Sequence, residues 1–242
     1  MYETIRFEEQ ENIARITLIR DRINMLMVRE LTQVCDHLED ASECKVVVIE
    51  GHNGHFSHGI DFEEFRPDQP MDIHGFNKWE KICVRIERLP KAIVALIDGT
   101  CAGGGAQLML VADAVIATNA ARIHFNEVHL GFLPGMATFR LGKMVGLGRA
   151  KRLIMQCPVL TATEANELGI VGQVSDDLNA ALDETIKAFG PIHTDAVTLA
   201  RRLLNESFST DFENAIGNFL AAQHRAIHQT AFLDTIKSHK DE

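Results

Sequence analysis

Three consecutive glycines, Gly103, Gly104 and Gly105, stand between an apolar run, Ala92 to Ile97, and an apolar segment, Ala106 to Ala112. That order reads as strand, glycine turn, helix. Without a Cβ, the backbone of the turn can take positive φ and lets a ligand approach its amide N–H groups. The first N–H groups of a helix have no internal partner and lie at the positive end of its dipole. The stretch is therefore suited to negative charge, permanent as in a phosphate or transient as in an oxyanion formed during a reaction. No GxxxxGK[ST] or GxGxxG pattern occurs, so the usual phosphate motifs are missing. On its own, a glycine triplet fits the close packing of a strand on a helix equally well.

Other residues invite chemistry less strongly. His52, His55 and His58 lie three apart, but Gly51, Gly54 and Gly59 place them in a loop, where that spacing does not align ligands for a metal, and no metal is expected. Cys101 adjoins the glycine turn without any base placed by a recognisable motif, and it reads as a small buried residue. Glu127 lies between His124 and His129, either of which would tune its pKa if all three lined one pocket.

The elements that must position these residues follow from periodicity. Residues 2–20 read as two strands around Gln10-Glu11-Asn12, Met27 to Leu38 as an amphipathic helix, and Lys45 to Glu50 as a strand buried on both faces. Strand, helix, strand points to an α/β fold with a parallel sheet. The loop GHNGHFSHG follows, with Asp61 as cap of a helix starting at Phe62 and Arg66 to Met71 as a loop over a site. Phe76 to Leu89 reads as a helix ended by Pro90, and Ala92 to Ile97 carries the chain into the glycine turn. Beyond Pro134 come helical segments, a short helix from Thr163 capped by Thr161, a strand at Ile170 to Val174, and several helices from Asp177 to Lys240. No linker or repeat interrupts the chain, which reads as one domain, 1–242, with a helical C-terminal part.

Composition narrows the function. A net charge of −10 argues against nucleic acid and anionic membranes as partners, which require clustered Lys and Arg. Five cysteines without a CxxC pair point to a reducing, cytoplasmic setting rather than a disulfide framework. No leader and no apolar stretch of membrane-spanning length is recognised.

Several motifs, in order, resemble the crotonase (enoyl-CoA hydratase/isomerase) superfamily. FSHGID at Phe56 to Asp61 matches its FxxGxD motif, and the glycine triplet follows in its place. Glu127 to Pro134 matches E-x-x-x-G-x-x-P, and TATEANELGIV from Thr161 matches T-A-x-E-A-x-x-x-G-x-V. The resemblance covers nearly the whole chain. It implies a ββα-superhelix spiral core over 1–175 and a helical trimerisation region over 176–242, assembled as a homotrimer or hexamer. It also implies an acyl-CoA or acyl carrier protein thioester as substrate, with no further cofactor.

Carried over residue by residue, the resemblance makes the N–H groups of Ile60 and Gly104 an oxyanion hole for the thioester. His58, Gly103, Leu133 and Pro134 become substrate contacts, and Arg20 and Arg22 contacts to CoA phosphates. The family's hydratases use two glutamates; this chain has Gln107 at the first position and Glu127 at the second. Hydration uses a water between two carboxyl groups, whereas one carboxylate can move a proton between two carbons. FNEVHLGF also resembles the NE-x-x-LG of the enoyl isomerases. The expectation is double-bond isomerisation by Glu127. Decarboxylative C–C bond formation, hydration with a water held by Gln107, and a non-catalytic acyl-thioester-binding subunit stay open as alternatives.

Overall fold

The structure, a computed structural model, describes residues 2–66, 68 and 73–240. Strands β1 (Ile5–Gln10) and β2 (Ile13–Leu18) form an antiparallel hairpin, followed by helix α1 (Met25–Asp40) and strand β3 (Val46–Glu50). The apolar stripe of α1 buries Met27, Leu31, Val34, Cys35 and Leu38, and the Asn24 side chain caps it by accepting the Met27 N–H at 2.9 Å. Strand β4 (His55–Ser57), helix α2 (His74–Arg88), strands β5 (Ala92–Ile97) and β6 (Thr100–Ala102), and helix α3 (Gly104–Met109) come next. They lead to β7 (Ala114–Ala117), β8 (Arg122–His124), α4 (Ala137–Val145), α5 (Leu147–Gln156), β9 (Leu160–Thr161), α6 (Ala162–Glu167), β10 (Gln173–Val174) and α7 (Leu178–Phe189).

Two sheets grow together from this order. One runs β1-β2-β3-β5-β7-β10 and the other β4-β6-β8-β9. Each passage of the chain lays one strand in the large sheet and the next in the small one: β3 then β4, β5 then β6, β7 then β8. Neighbouring strands from successive passages are parallel in both sheets. This is a ββα spiral, and the expected fold class stands. The all-apolar β5 is buried along its whole length at the centre of the large sheet, as its β-branched neighbours require.

The small sheet was not foreseen. Its strands are two or three residues long, too short to show a period of two, and β4 falls where histidine and glycine suggested only loop. The helix expected from Phe62 is one 3-10 turn, Phe62–Glu64, with Asp61 as its cap. Of the loop expected at 66–71, only Arg66 and Asp68 lie within the described residues. Thr161 does cap α6, in a capping box with Glu164.

The chain forms two compact units, Met1–Gly190 and Pro191–Glu242. Helix α7 packs on β7 and belongs to the first unit. The second unit consists of α8 (Thr194–Glu206), α9 (Phe212–Ile227) and α10 (Thr230–Lys240). Among the described residues, no helix is long and apolar enough to cross a membrane.

Candidate active site

The three parallel strands of the small sheet lie in the order β4-β6-β8, and each delivers site residues just beyond its C-terminal end. From β4 the chain enters Gly59 and Ile60; from β6, Gly103 and Gly104; from β8, Glu127. Ligand sites at the carboxyl ends of parallel strands are a general property of α/β sheets, because the loops there converge.

At the first of these ends, Gly59 has φ +89°, and a Cβ there would stand 3.3 Å from the Ala102 carbonyl oxygen. Only glycine combines that conformation with such an approach. Its carbonyl accepts the Ile23 N–H at 2.8 Å, and the Asp61 N–H donates to Ile23 at 2.8 Å. In such a parallel bridge the intervening residue, Ile60, turns its own N–H away from Ile23. Ser57 holds the loop from below: its Oγ accepts the Gly59 N–H at 3.1 Å and donates to the Asp21 carbonyl at 3.2 Å.

At the second end, the Gly103 N–H donates to the His124 carbonyl at 3.2 Å, and Gly103 has φ +51°. Gly104 is the first residue of α3, so its N–H has no partner within the helix. All six residues of α3, Gln107 included, are buried.

At the third end, Glu127 opens a 3-10 turn, Glu127–Leu130, closed by Gly131 at φ +87°. Its carbonyl accepts the Phe132 N–H at 3.0 Å. The side chain is 2% exposed, and neither carboxyl oxygen reaches a hydrogen-bond partner. Burial raises the Glu127 pKa, against smaller opposing effects of its own backbone N–H and the nearby Gln107 amide.

A cavity of about 790 Å³ joins these parts, with Ile60, Gly103, Gly104, Gln107 and Glu127 all in its wall. His58, Leu133 and Arg22 line it as well. Pro134 does not: it is buried, and its carbonyl accepts the Ala137 N–H at 3.0 Å at the start of α4. Arg20 does not either; its guanidinium lies 3.7 Å from Asp61 Oδ2, outside the cavity. Of the two histidines beside Glu127, His124 lines the cavity while His129 is exposed. Burial lowers the pKa of His124 and of His58, and each is lowered further by a neighbouring histidine, so both favour the neutral form. Cys101 is fully buried and its thiol pKa is raised by desolvation, which leaves it inert.

Several wall residues had no motif to announce them. Phe62, Phe65, Phe76 and Phe132 meet with ring centroids 5.9–6.3 Å apart, bringing together the turn after Ile60, helix α2 and the turn after Glu127. Arg66 and Lys78 add positive charge, and Trp79 and Glu80 complete the α2 side. The amphipathic period of α2 was readable, but which of its positions face a cavity depends on where α3 and α4 lie.

Comparison with known proteins bears on the family and the fold. Residues 8–241 match the sequence model of a family described as enoyl-CoA hydratase/isomerase. An enoyl-CoA hydratase of Amycolatopsis orientalis is 30% identical over 204 residues, covering 84% of this chain and 90% of that protein. A crotonyl-CoA hydratase of Syntrophomonas wolfei is 29% identical, covering 98% and 97%. The crystal structure of an enoyl-CoA hydratase from Bacillus anthracis superposes with a TM-score of 0.90 at 25% identity, over 99% of this chain and 96% of that one.

Proposed function

We infer that this chain, which belongs to the enoyl-CoA hydratase/isomerase family, moves a proton on an enoyl thioester with Glu127 while Ile60 and Gly104 hold the thioester oxygen. The observation that carries the reading is Glu127 itself: one buried carboxyl, unpaired, with raised proton affinity, in the cavity that Ile60 and Gly104 also line. As a base it takes a proton from the carbon next to the thioester carbonyl or one conjugated with it, and charge passes to the carbonyl oxygen. Donors aimed at that oxygen are commonly worth about 3–4 kcal/mol each in a dry site. The same carboxyl then returns the proton to another carbon, and the double bond has moved. Gln107, whose amide cannot exchange a proton, needs no part in this sequence beyond orienting Glu127 or substrate.

Hydration is the second reading, favoured by the names of the hydratase relatives. It requires Gln107 to orient a water that Glu127 deprotonates. Positive charge from Arg22, Arg66 and Lys78 along the cavity suits the phosphates of CoA. A cytoplasmic enzyme acting as a trimer or hexamer is the proposed setting.

The test is single-turnover reaction of the wild type and Glu127→Gln with 3-enoyl-CoA, 2-enoyl-CoA and malonyl-CoA in D2O. Isomerisation predicts conversion of the 3-enoyl substrate that is lost in the variant. Water addition to the 2-enoyl substrate without that conversion would replace it with hydration, and CO2 release from malonyl-CoA with decarboxylation. Binding without turnover of any of the three would reject proton transfer on these substrates.

A further inference from the structure

Trp79 is the only tryptophan of the chain, lies on α2 and is 6% exposed in the wall of the cavity that holds Glu127. Its indole nitrogen is shielded from solvent and has no hydrogen-bond partner. An indole N–H is a donor with nothing else to offer, and buried ones normally find an acceptor. Among the described residues, the buried side-chain polar atoms left unpaired all belong to Trp79, Glu80, Glu127 and Arg140. Three of those residues line this one cavity, and Arg140 is ion-paired to Glu80. Because Glu80 Oε1 meets Arg140 Nη2 at 2.7 Å, the groups of this cavity wall that lack any protein partner among the described residues are the Trp79 N–H and the Glu127 carboxyl.

Trp79 Nε1 sits 3.3 Å from the position that a Cβ on Gly104 would take, and Cε2 of the same ring 3.6 Å from it. The indole nitrogen therefore lies against the residue whose N–H is the free first N–H of α3, and among the described residues no protein acceptor serves the indole. Two such donors side by side suit a single ligand oxygen that carries negative charge. The Ile23 Cδ1 methyl, 2.8 Å from the same Gly104 position, shares this corner.

Resting on the oxyanion reading above, we propose that the Trp79 indole N–H is a third donor to the thioester oxygen, which makes Trp79 a catalytic residue alongside Ile60 and Gly104. The substrate oxygen reaches the indole as the Ile23 side chain turns aside. Because the bond strengthens as charge moves onto the oxygen, its loss falls on kcat more than on KM.

A lone tryptophan gives a lone indole N–H signal, so the wild-type protein tests this directly. Protein labelled with 15N in Trp, Ile and Gly is titrated with a saturated acyl-CoA and with the CoA thioether of equal chain length that lacks the carbonyl oxygen. The expected result is a downfield move of the indole proton with the thioester and none with the thioether, together with the Ile60 and Gly104 amides. Movement of those two amides without the indole would overturn the role of Trp79 and leave the oxyanion reading intact. Movement of none of the three would overturn both. In kinetics, Trp79→Phe lowers kcat about tenfold with KM little changed; an equal kcat, or a loss confined to KM, would also reject the proposal.

Discussion

Gly103 and the carboxyl of Glu127 face each other so closely that a Cβ on Gly103 would lie 3.1 Å from Glu127 Oε1. Gly103 also has φ +51°, so an alanine there is strained by conformation as well as by contact. The carboxyl must give by a few tenths of an ångström. Gly103→Ala is expected to cost about 1–2 kcal/mol of stability through strain while lowering kcat about a hundredfold through the displaced carboxyl. Steady-state kinetics and urea denaturation on one preparation check both. A variant with full kcat would mean that the position of Glu127 is not held by this contact.

Glu127→Gln removes the proton carrier and is expected to lower kcat by about 10² to 10⁴. The activity of the wild type should rise with pH through an inflection above the ordinary glutamate value of 4.5, because the base must be ionised and burial raises its pKa. Stability follows the opposite course. A carboxyl whose folded pKa is raised favours folding below its unfolded pKa, and that contribution is lost as pH climbs through the folded value. Relative to Glu127→Gln, the wild type therefore loses stability as pH climbs from the ordinary glutamate value of 4.5 through the raised folded one. Denaturation midpoints of the two proteins measured across that range should diverge; parallel curves would mean a carboxyl with no shift.

How much of this was legible in the sequence depended on the length of the signal. The large sheet announced itself in runs such as Val46 to Glu50 and Ala92 to Ile97, where β-branched residues buried on both faces leave a continuous apolar stretch. Motifs single out Glu127, Gln107, Ile60 and Gly104 as candidates, and the structure brings all four to one cavity. The strands that place them, β4, β6 and β8, are three residues each and exist through pairing between distant segments, which no local pattern records. Arg20 and Pro134 show the converse: a motif position specifies backbone neighbourhood, but Arg20 turned to Asp61 and Pro134 into the start of α4. Trp79 could not be singled out, because only the tertiary fold shows that its indole abuts Gly104.

Arg140 joins α4 to α2 from a site only 8% exposed, with its guanidinium 2.7 Å from Glu80 and 3.4 Å from Glu87. Removing one side of a buried ion pair strands the other, which is worse than never having had the pair. Arg140→Met is expected to destabilise the protein by about 3 kcal/mol or more. Arg140→Lys should recover less than half of this, since both carboxylates meet the one nitrogen Nη2 at the end of a longer, planar side chain whose reach and shape an ammonium does not reproduce. Chemical denaturation of the three proteins decides it. A methionine variant as stable as the wild type would place the Glu80 and Glu87 charges in water.

Helix α9 has no buried residue although it carries Phe212, Ile216, Phe219 and Leu220, which are 77%, 40%, 49% and 59% exposed. Exposed apolar residues at helical spacing on one stretch, three of them within five positions, form a patch of the kind that marks a protein interface. The expected cover is another copy of this chain in a trimer or hexamer. Phe212→Asp combined with Phe219→Asp sets two charges where a homo-oligomer would repeat them around its axis, so like charges gather at each copy of the interface. Sedimentation velocity should show the wild type at three or six times the chain mass of 26.9 kDa. The double variant should shift toward the monomer, with its far-UV circular dichroism little altered. A wild type that sediments as a monomer at micromolar concentration would refute the assembly, and an oligomer indifferent to both substitutions would move the interface away from α9.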